Sequence, residues 1–209
     1  MIEERFDYGI SLREFFPQDI LDGLLGYINT NPPPEIIKSV VLEKENELGK
    51  RYLSEDKLGH YTIHSHPSIK QAEDFIIEYF HTHPESIIVK EGNGWTEWDK
   101  EKSGYTCNGQ LQTTPPHNFY NMHRDTPSKL HTMVIYLHPE VGNGTVFFET
   151  ETKGRDKGIN PSEHPWGVNC GYWMGIDGDR PLHTYHNDTN ETRWIYMFNL
   201  GKKKYVNNP

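Results

Sequence analysis

Residues 109–137, GQLQTTPPHNFYNMHRDTPSKLHTMVIYL, contain the pattern that decides the fold class. Two runs of strand-like composition, 109–114 and 130–137, flank a segment with proline, asparagine and charged residues. Short runs of this kind, separated by turn residues, are typical of antiparallel sandwiches and barrels. The same texture recurs along the chain, and it predicts strands at 86–90, 109–114, 130–137, 144–150, 172–176 and 193–200.

The chain before these runs has a helical pattern. Residues 17–28 and 67–80 carry apolar side chains at helical spacing, and Pro17 suits a first helical turn. The 209 residues suffice for one sizeable core. We therefore predict one domain, mainly β with supporting α-helices, in which 1–85 is a mostly helical support region and 86–209 is the β core.

Composition excludes several classes of function. The formal net charge of −9 argues against non-specific binding to nucleic acid, which needs a basic surface. The sequence lacks a run of about 18 apolar residues and an evident secretion signal, so we expect no membrane span and an intracellular, cytoplasmic protein. The 12 histidines favour a metal site, because imidazole is the commonest metal ligand.

The triplet His123-Arg124-Asp125, followed at long range by His183, has the residue types of an iron(II) site. Residues i and i+2 of an extended segment point to the same side, so His123 and Asp125 face the same way. Two histidines and one carboxylate leave three metal positions open for a cosubstrate and oxygen. His186 is an alternative to His183, although the ten-residue distance to Arg193 favours His183.

Residues 110–200 resemble the 2-oxoglutarate/iron(II) dioxygenases of the prolyl-hydroxylase type. The resemblance depends on the HRD triplet, the following strand LHTMVIYL, the turn and strand GNGTVFF, the distal His183, and Arg193 ten residues later. It implies a double-stranded β-helix, the jelly roll or cupin-like barrel, with iron(II) held by His123, Asp125 and His183. It also implies that 2-oxoglutarate and oxygen are cosubstrates, and that a C–H bond is hydroxylated with release of succinate and CO2.

The same resemblance assigns roles to further residues. Arg193 would pair with the distal carboxylate of 2-oxoglutarate, for which its planar fork is suited. Tyr136 and Thr145 match positions that contact this carboxylate in family members. Tyr120 either lines the site or is a core aromatic residue.

Other histidines and one tryptophan have simpler interpretations. His131 is out of phase with Tyr136 on the same predicted strand, so it should face away from the site. His117, His138 and His164 lie beside prolines in turn-like segments, where surface histidines are common and a substrate mouth is an alternative. Trp166, with Trp173 and Trp194, is expected to serve packing.

Two rival functions remain open. A cupin-type metal-binding protein would share the barrel but not use 2-oxoglutarate, and a non-catalytic jelly-roll module would have incidental histidines and no need for Arg193. The substrate is expected to be a peptide or a small molecule, and the sequence indicates neither its identity nor the oligomeric state.

Overall fold

The computed structural model of the protein describes residues 1–31, 62–91, 105–125, 129–150, 158–175 and 181–202. Its helices are α1 (Gln18–Thr30), α2 (Pro67–Thr82) and α3 (Ile87–Glu91). Its strands are β1 (Ile2–Phe6), β2 (Gly9–Arg13), β3 (Thr62–Ile63), β4 (Tyr105–Thr114), β5 (Asn118–His123), β6 (Lys129–His138), β7 (Thr145–Thr150), β8 (Gly158–Glu163), β9 (Cys170–Gly175), β10 (Leu182–Asn187) and β11 (Arg193–Lys202).

The strands form two antiparallel sheets. The major sheet has the order β1-β2-β9-β6-β11-β4-β3, and the minor sheet has the order β5-β10-β7-β8. Strands β4 to β11 are divided evenly between the sheets, and chain neighbours such as β4 and β5 lie in different sheets. This is the arrangement of a double-stranded β-helix, or jelly roll, so the predicted fold class is confirmed.

The major sheet separates two apolar clusters. Along β11, Trp194, Tyr196 and Phe198 pack with α1 and α2 on the outer face of the sheet. The alternating residues Ile195 and Met197 pack between the two sheets, with side chains from β6, β7 and β9. Because a strand directs successive side chains to opposite faces, Arg193 shares the inner face with Ile195 and Met197.

The two predicted helices are confirmed. Helix α1 begins after Pro17, and α2 has a proline at its start and buries Ile69, Ala72 and Ile76 against the outer face of the major sheet. No described helix has the length and apolar character required to cross a membrane.

The strand predicted at 86–90 is wrong, because this segment forms helix α3. The carboxylate of Glu3 accepts hydrogen bonds from the Ser86 hydroxyl at 2.6 Å and from the Ile87 amide at 2.7 Å. It thereby caps the helix start, while Ile88 and Val89 enter the outer core. Capping and burial in the tertiary structure thus override the β preference of the Ile-Ile-Val run.

The N-terminal segment also differs from the expected mostly helical region. Strands β1 and β2 form a hairpin, and β2 pairs with β9 at the edge of the major sheet, with Ile10 opposite Trp173. The first thirteen residues therefore extend the barrel instead of supporting it from outside.

Candidate active site

Three predicted metal ligands meet inside the barrel. His123 ends β5 and lies directly opposite His183 of β10, with 4.3 Å between the ring centroids. Asp125 follows two residues later, and one ligand atom from each residue lies within 4.8 Å of the other two. Metal bonds to nitrogen and oxygen are about 2.0–2.2 Å long. Small side-chain rotations would therefore bring the three atoms onto one ion.

The hydrogen bonding of His183 leaves its Nε2 suited to metal coordination. Its Nδ1 lies 3.0 Å from the carbonyl oxygen of Pro181. A carbonyl only accepts, so the proton is on Nδ1 and the lone pair of Nε2 is available for coordination. Burial lowers the pKa of His183, which favours the neutral form that binds metals.

His186, the alternative left open by the sequence, points away from this cluster. It is exposed, and its ring stacks on Phe119 with 5.9 Å between the centroids. An exposed position on the other face of β10 cannot converge with His123. The geometry therefore favours His183 as the distal histidine, and its role as a ligand stays a prediction.

Asp125 is held as a carboxylate. Its Oδ1 accepts from the Lys129 ammonium at 2.8 Å, and its Oδ2 accepts from the Thr132 hydroxyl at 3.0 Å. Burial alone would raise the pKa of Asp125, but Lys129 and the two histidines outweigh burial and lower that pKa to about 2. The group is therefore an anion at neutral pH, as a metal ligand must be.

Arg193 is a buried cation with unused hydrogen-bonding capacity. Its side chain is 2% exposed, and Nε and Nη2 have no hydrogen-bond partner among the described residues. Burial lowers the pKa of Arg193, and the groups that oppose this effect are tyrosines and not a carboxylate. Such a charge is costly in the interior unless an anion compensates it. The barrel is therefore suited to a ligand that supplies a carboxylate at Arg193.

Thr114 adds a second unsatisfied group to this pocket. It lies opposite Arg193 in the pairing of β4 with β11, and its buried hydroxyl has no hydrogen-bond partner within the described part of the chain. Opposite residues of an antiparallel pair lie side by side on one face of the sheet. The pocket thus offers a hydroxyl next to the guanidinium.

Aromatic rings surround the guanidinium. Its carbon atom lies 4.3 Å from the ring centroid of Tyr185, 5.2 Å from that of Trp166 and 5.5 Å from that of Tyr136. Sequence reasoning missed Tyr185 and assigned Trp166 to packing alone. Tyr185 follows His183 by two residues, so the period of two in β10 was a signal that could have revealed it.

Tyr120 connects the arginine pocket with the histidines. Its ring lies 4.7 Å from that of His123 and stacks on Tyr185 at 5.0 Å, measured between centroids. Tyr120 is thus beside the candidate metal site, as one of its two interpretations required, while its role in binding stays a prediction. Together with Tyr185, it forms one continuous wall from the metal ligands to Arg193.

Tyr136 and Thr145 lie together within the barrel. The Thr145 amide donates to the Tyr136 hydroxyl oxygen at 3.0 Å, and the Tyr172 hydroxyl donates to Thr145 Oγ1 at 3.1 Å. Their proximity to each other and that of Tyr136 to Arg193 agree with the implied binding roles, which stay predictions. His131 faces the other way, as expected, and stacks on Trp173 at 5.0 Å.

His164 is buried, in contrast to its interpretation as a surface or mouth residue. Burial lowers its pKa from 6.5 to about 4. The unfolded chain therefore binds more protons than the folded chain between these values, so His164 makes the free energy of unfolding fall as pH decreases from 6.5 to about 4. We expect a His164→Gln variant to show a shallower decrease over this window in urea denaturation. Parallel pH profiles for the two proteins would contradict this origin.

Comparisons with known proteins find similarity in structure but not in sequence. No family model and no curated protein matches the chain. Its structure resembles that of a prolyl-4-hydroxylase from Pseudomonas putida, with a TM-score of 0.55 and 12% sequence identity, over 94% of this chain and 94% of that chain.

Two further solved structures show the same likeness. The viral collagen prolyl hydroxylase of Paramecium Bursaria Chlorella virus-1, solved as a 2-oxoglutarate complex, has a TM-score of 0.52 and 14% identity, covering 93% of this chain and 96% of that chain. The non-heme alpha-ketoglutarate-dependent epimerase SnoN from nogalamycin biosynthesis has a TM-score of 0.53 and 11% identity, covering 93% and 79%. Across most of its length, the chain therefore has prolyl 4-hydroxylases and other 2-oxoglutarate/iron(II) oxygenases as structural neighbours, and it shares their fold.

Proposed function

We propose that this protein is an iron(II)- and 2-oxoglutarate-dependent oxygenase that hydroxylates a C–H bond of a peptide or small-molecule substrate, releasing succinate and CO2. One observation carries the proposal. The cluster of His123, Asp125 and His183 lies in the same barrel interior as a buried arginine for which the described residues provide no compensating anion. A metal site alone explains the cluster, but it does not explain the arginine.

The donor set fits iron(II). His123, Asp125 and His183 would hold the ion, and two imidazoles with one carboxylate leave the remaining positions open. Bound iron would supply the activation of oxygen, a chemistry that side chains lack. Lys129 and Thr132 each donate to one oxygen of Asp125, so they would orient the carboxylate as outer-shell partners do in metal sites.

The second half of the pocket fits 2-oxoglutarate. Arg193 would bind the carboxylate remote from the metal, with Tyr136 and Thr145 as further donors and Tyr120 along the connecting wall. A planar guanidinium forms two parallel hydrogen bonds with a carboxylate, which fixes orientation as well as position. The rings of Tyr185 and Trp166 shield this pair from water, which strengthens it.

The proposed substrate is a peptide or a small molecule. Structural neighbours include enzymes named as prolyl hydroxylases and one named as an epimerase, so the fold accommodates several reactions. A peptide or a small molecule is the broadest class consistent with this likeness.

An anaerobic titration tests the proposal directly. We expect iron(II) to bind with one equivalent per chain, and added 2-oxoglutarate to produce the weak visible absorption band of a 2-oxo acid chelated to iron. Succinate, which lacks the 2-oxo group, is the control and should produce no band. Iron binding without the band would indicate a cupin-type metal protein, and a lack of iron binding would leave a non-catalytic jelly-roll module.

A further inference from the structure

A buried polar network lies next to the proposed cosubstrate pocket, and its central residue is His164. This residue is 4% exposed and lies between β8 and β9. Its Nδ1 is 3.3 Å from the hydroxyl of Tyr136, and its Nε2 is 3.0 Å from the hydroxyl of Ser11. One imidazole thus joins the N-terminal hairpin to a tyrosine that lies beside Arg193.

The direction of the hydrogen bonds follows from Thr145. Its backbone N–H donates to the oxygen of Tyr136 at 3.0 Å, so the O–H of Tyr136 is available as a donor. The same oxygen has a second lone pair, which accepts the proton on Nδ1 of His164, and Nε2 then accepts from the Ser11 hydroxyl. Both imidazole nitrogens thereby have complementary partners, and the O–H of Tyr136 stays available for an anion.

The backbone around His164 fixes the ring in place. The His164 amide donates to the carbonyl oxygen of Thr145 at 2.8 Å. A Cβ atom on Gly144 would overlap the carbonyl oxygen of His164, so the two segments approach this closely only because residue 144 is glycine. Phe6 of the hairpin packs its ring against the imidazole at 5.3 Å between centroids.

We infer that His164 is a positioning residue that holds the hydroxyl of Tyr136 at the carboxylate pocket, and that Ser11 of the N-terminal hairpin orients its imidazole. This inference rests on the proposed function. When a carboxylate binds at Arg193, Tyr136 turns its O–H toward that anion, while Thr145 and His164 keep its oxygen in place. The hairpin of β1 and β2, which extends the barrel beyond strands β4 to β11, thereby contributes to cosubstrate affinity.

A double-mutant cycle tests the inference through affinity and without turnover. The dissociation constant of 2-oxoglutarate is measured by anaerobic calorimetry on manganese(II)-loaded protein for wild type, Tyr136→Phe, His164→Leu and the double variant. Loss of one hydrogen bond predicts about a five-fold weaker affinity for each single variant. Because His164 acts through the Tyr136 hydroxyl, the double variant should be no weaker than Tyr136→Phe alone.

Conservative variants of His164 test which imidazole nitrogen matters for affinity. His164→Asn keeps a donor near the position of Nδ1 and should recover part of the affinity, whereas His164→Gln places its amide near Nε2 and should not. His81→Asn, at an exposed position of α2, is the matched control and should bind as wild type. The affinity for manganese(II) alone should stay unchanged in all of these variants.

Three results would overturn the inference. Additive losses in the cycle would show that His164 acts independently of Tyr136, and a parallel loss of manganese(II) affinity would show general damage to the barrel. A wild-type protein that binds manganese(II) but not 2-oxoglutarate would remove the proposed function itself, and this inference with it. Additivity with intact wild-type binding removes the inference alone.

Discussion

His183→Ala is expected to lower iron(II) affinity by at least a factor on the order of 100, since even loss of an outer-shell partner weakens metal binding about 10- to 100-fold. His183 faces His123 across the β5–β10 pair and presents Nε2 to the cluster. Its removal leaves two ligands, which hold iron poorly. Anaerobic titration with iron(II) measures the affinity, and succinate release measures the accompanying loss of turnover.

His186→Ala is the matched control. It removes the same side chain three residues away, from the exposed face of the same strand. Iron(II) affinity should therefore remain at the wild-type value. If His186→Ala abolished iron binding while His183→Ala did not, the assignment of the distal ligand would be reversed.

Arg193→Met is expected to weaken 2-oxoglutarate binding on the order of 100-fold, because a buried charge-assisted pair is lost. In the absence of 2-oxoglutarate, the same change should raise the thermal midpoint. The guanidinium is buried among aromatic rings, two of its nitrogens have no hydrogen-bond partner in the described ranges, and isolated buried charges cost several kcal/mol in stability. Methionine fills a similar volume without this penalty. Calorimetric titration and thermal denaturation measure the two effects.

Arg193→Lys separates the effect of the charge from that of the hydrogen-bond geometry, and Arg13→Met is the control for loss of an arginine elsewhere. Arg193→Lys keeps the charge but loses the planar fork, so it should recover only part of the affinity for 2-oxoglutarate. Arg13→Met removes an exposed arginine that pairs with Glu4, and it should change stability by less than about 1 kcal/mol. An Arg193→Met protein that is less stable yet binds 2-oxoglutarate normally would identify Arg193 as a structural residue.

The sequence predicted which residues form the candidate site more fully than it predicted the residues that surround them. The period of two placed His123 beside Asp125 and put Arg193 on the face of β11 opposite Trp194, and both placements agree with the structure. The helical spacing predicted α1 and α2 for the same reason, since periodicity is a local property. The strand prediction for 86–90 failed because the carboxylate that caps this helix belongs to Glu3, more than eighty residues away in the chain.

By itself, the sequence determined the class of fold and the inward direction of the candidate metal ligands, because alternation along a strand depends only on neighbouring residues. The tertiary structure alone decided which side chains meet across strands. Tyr185 covers Arg193, and His164 contacts both Tyr136 and Ser11, which lies 153 positions before it in the chain. Such contacts depend on the order of strands in two sheets. A local period specifies the face of the strand on which a side chain lies, but not the residues of other strands that lie next to it.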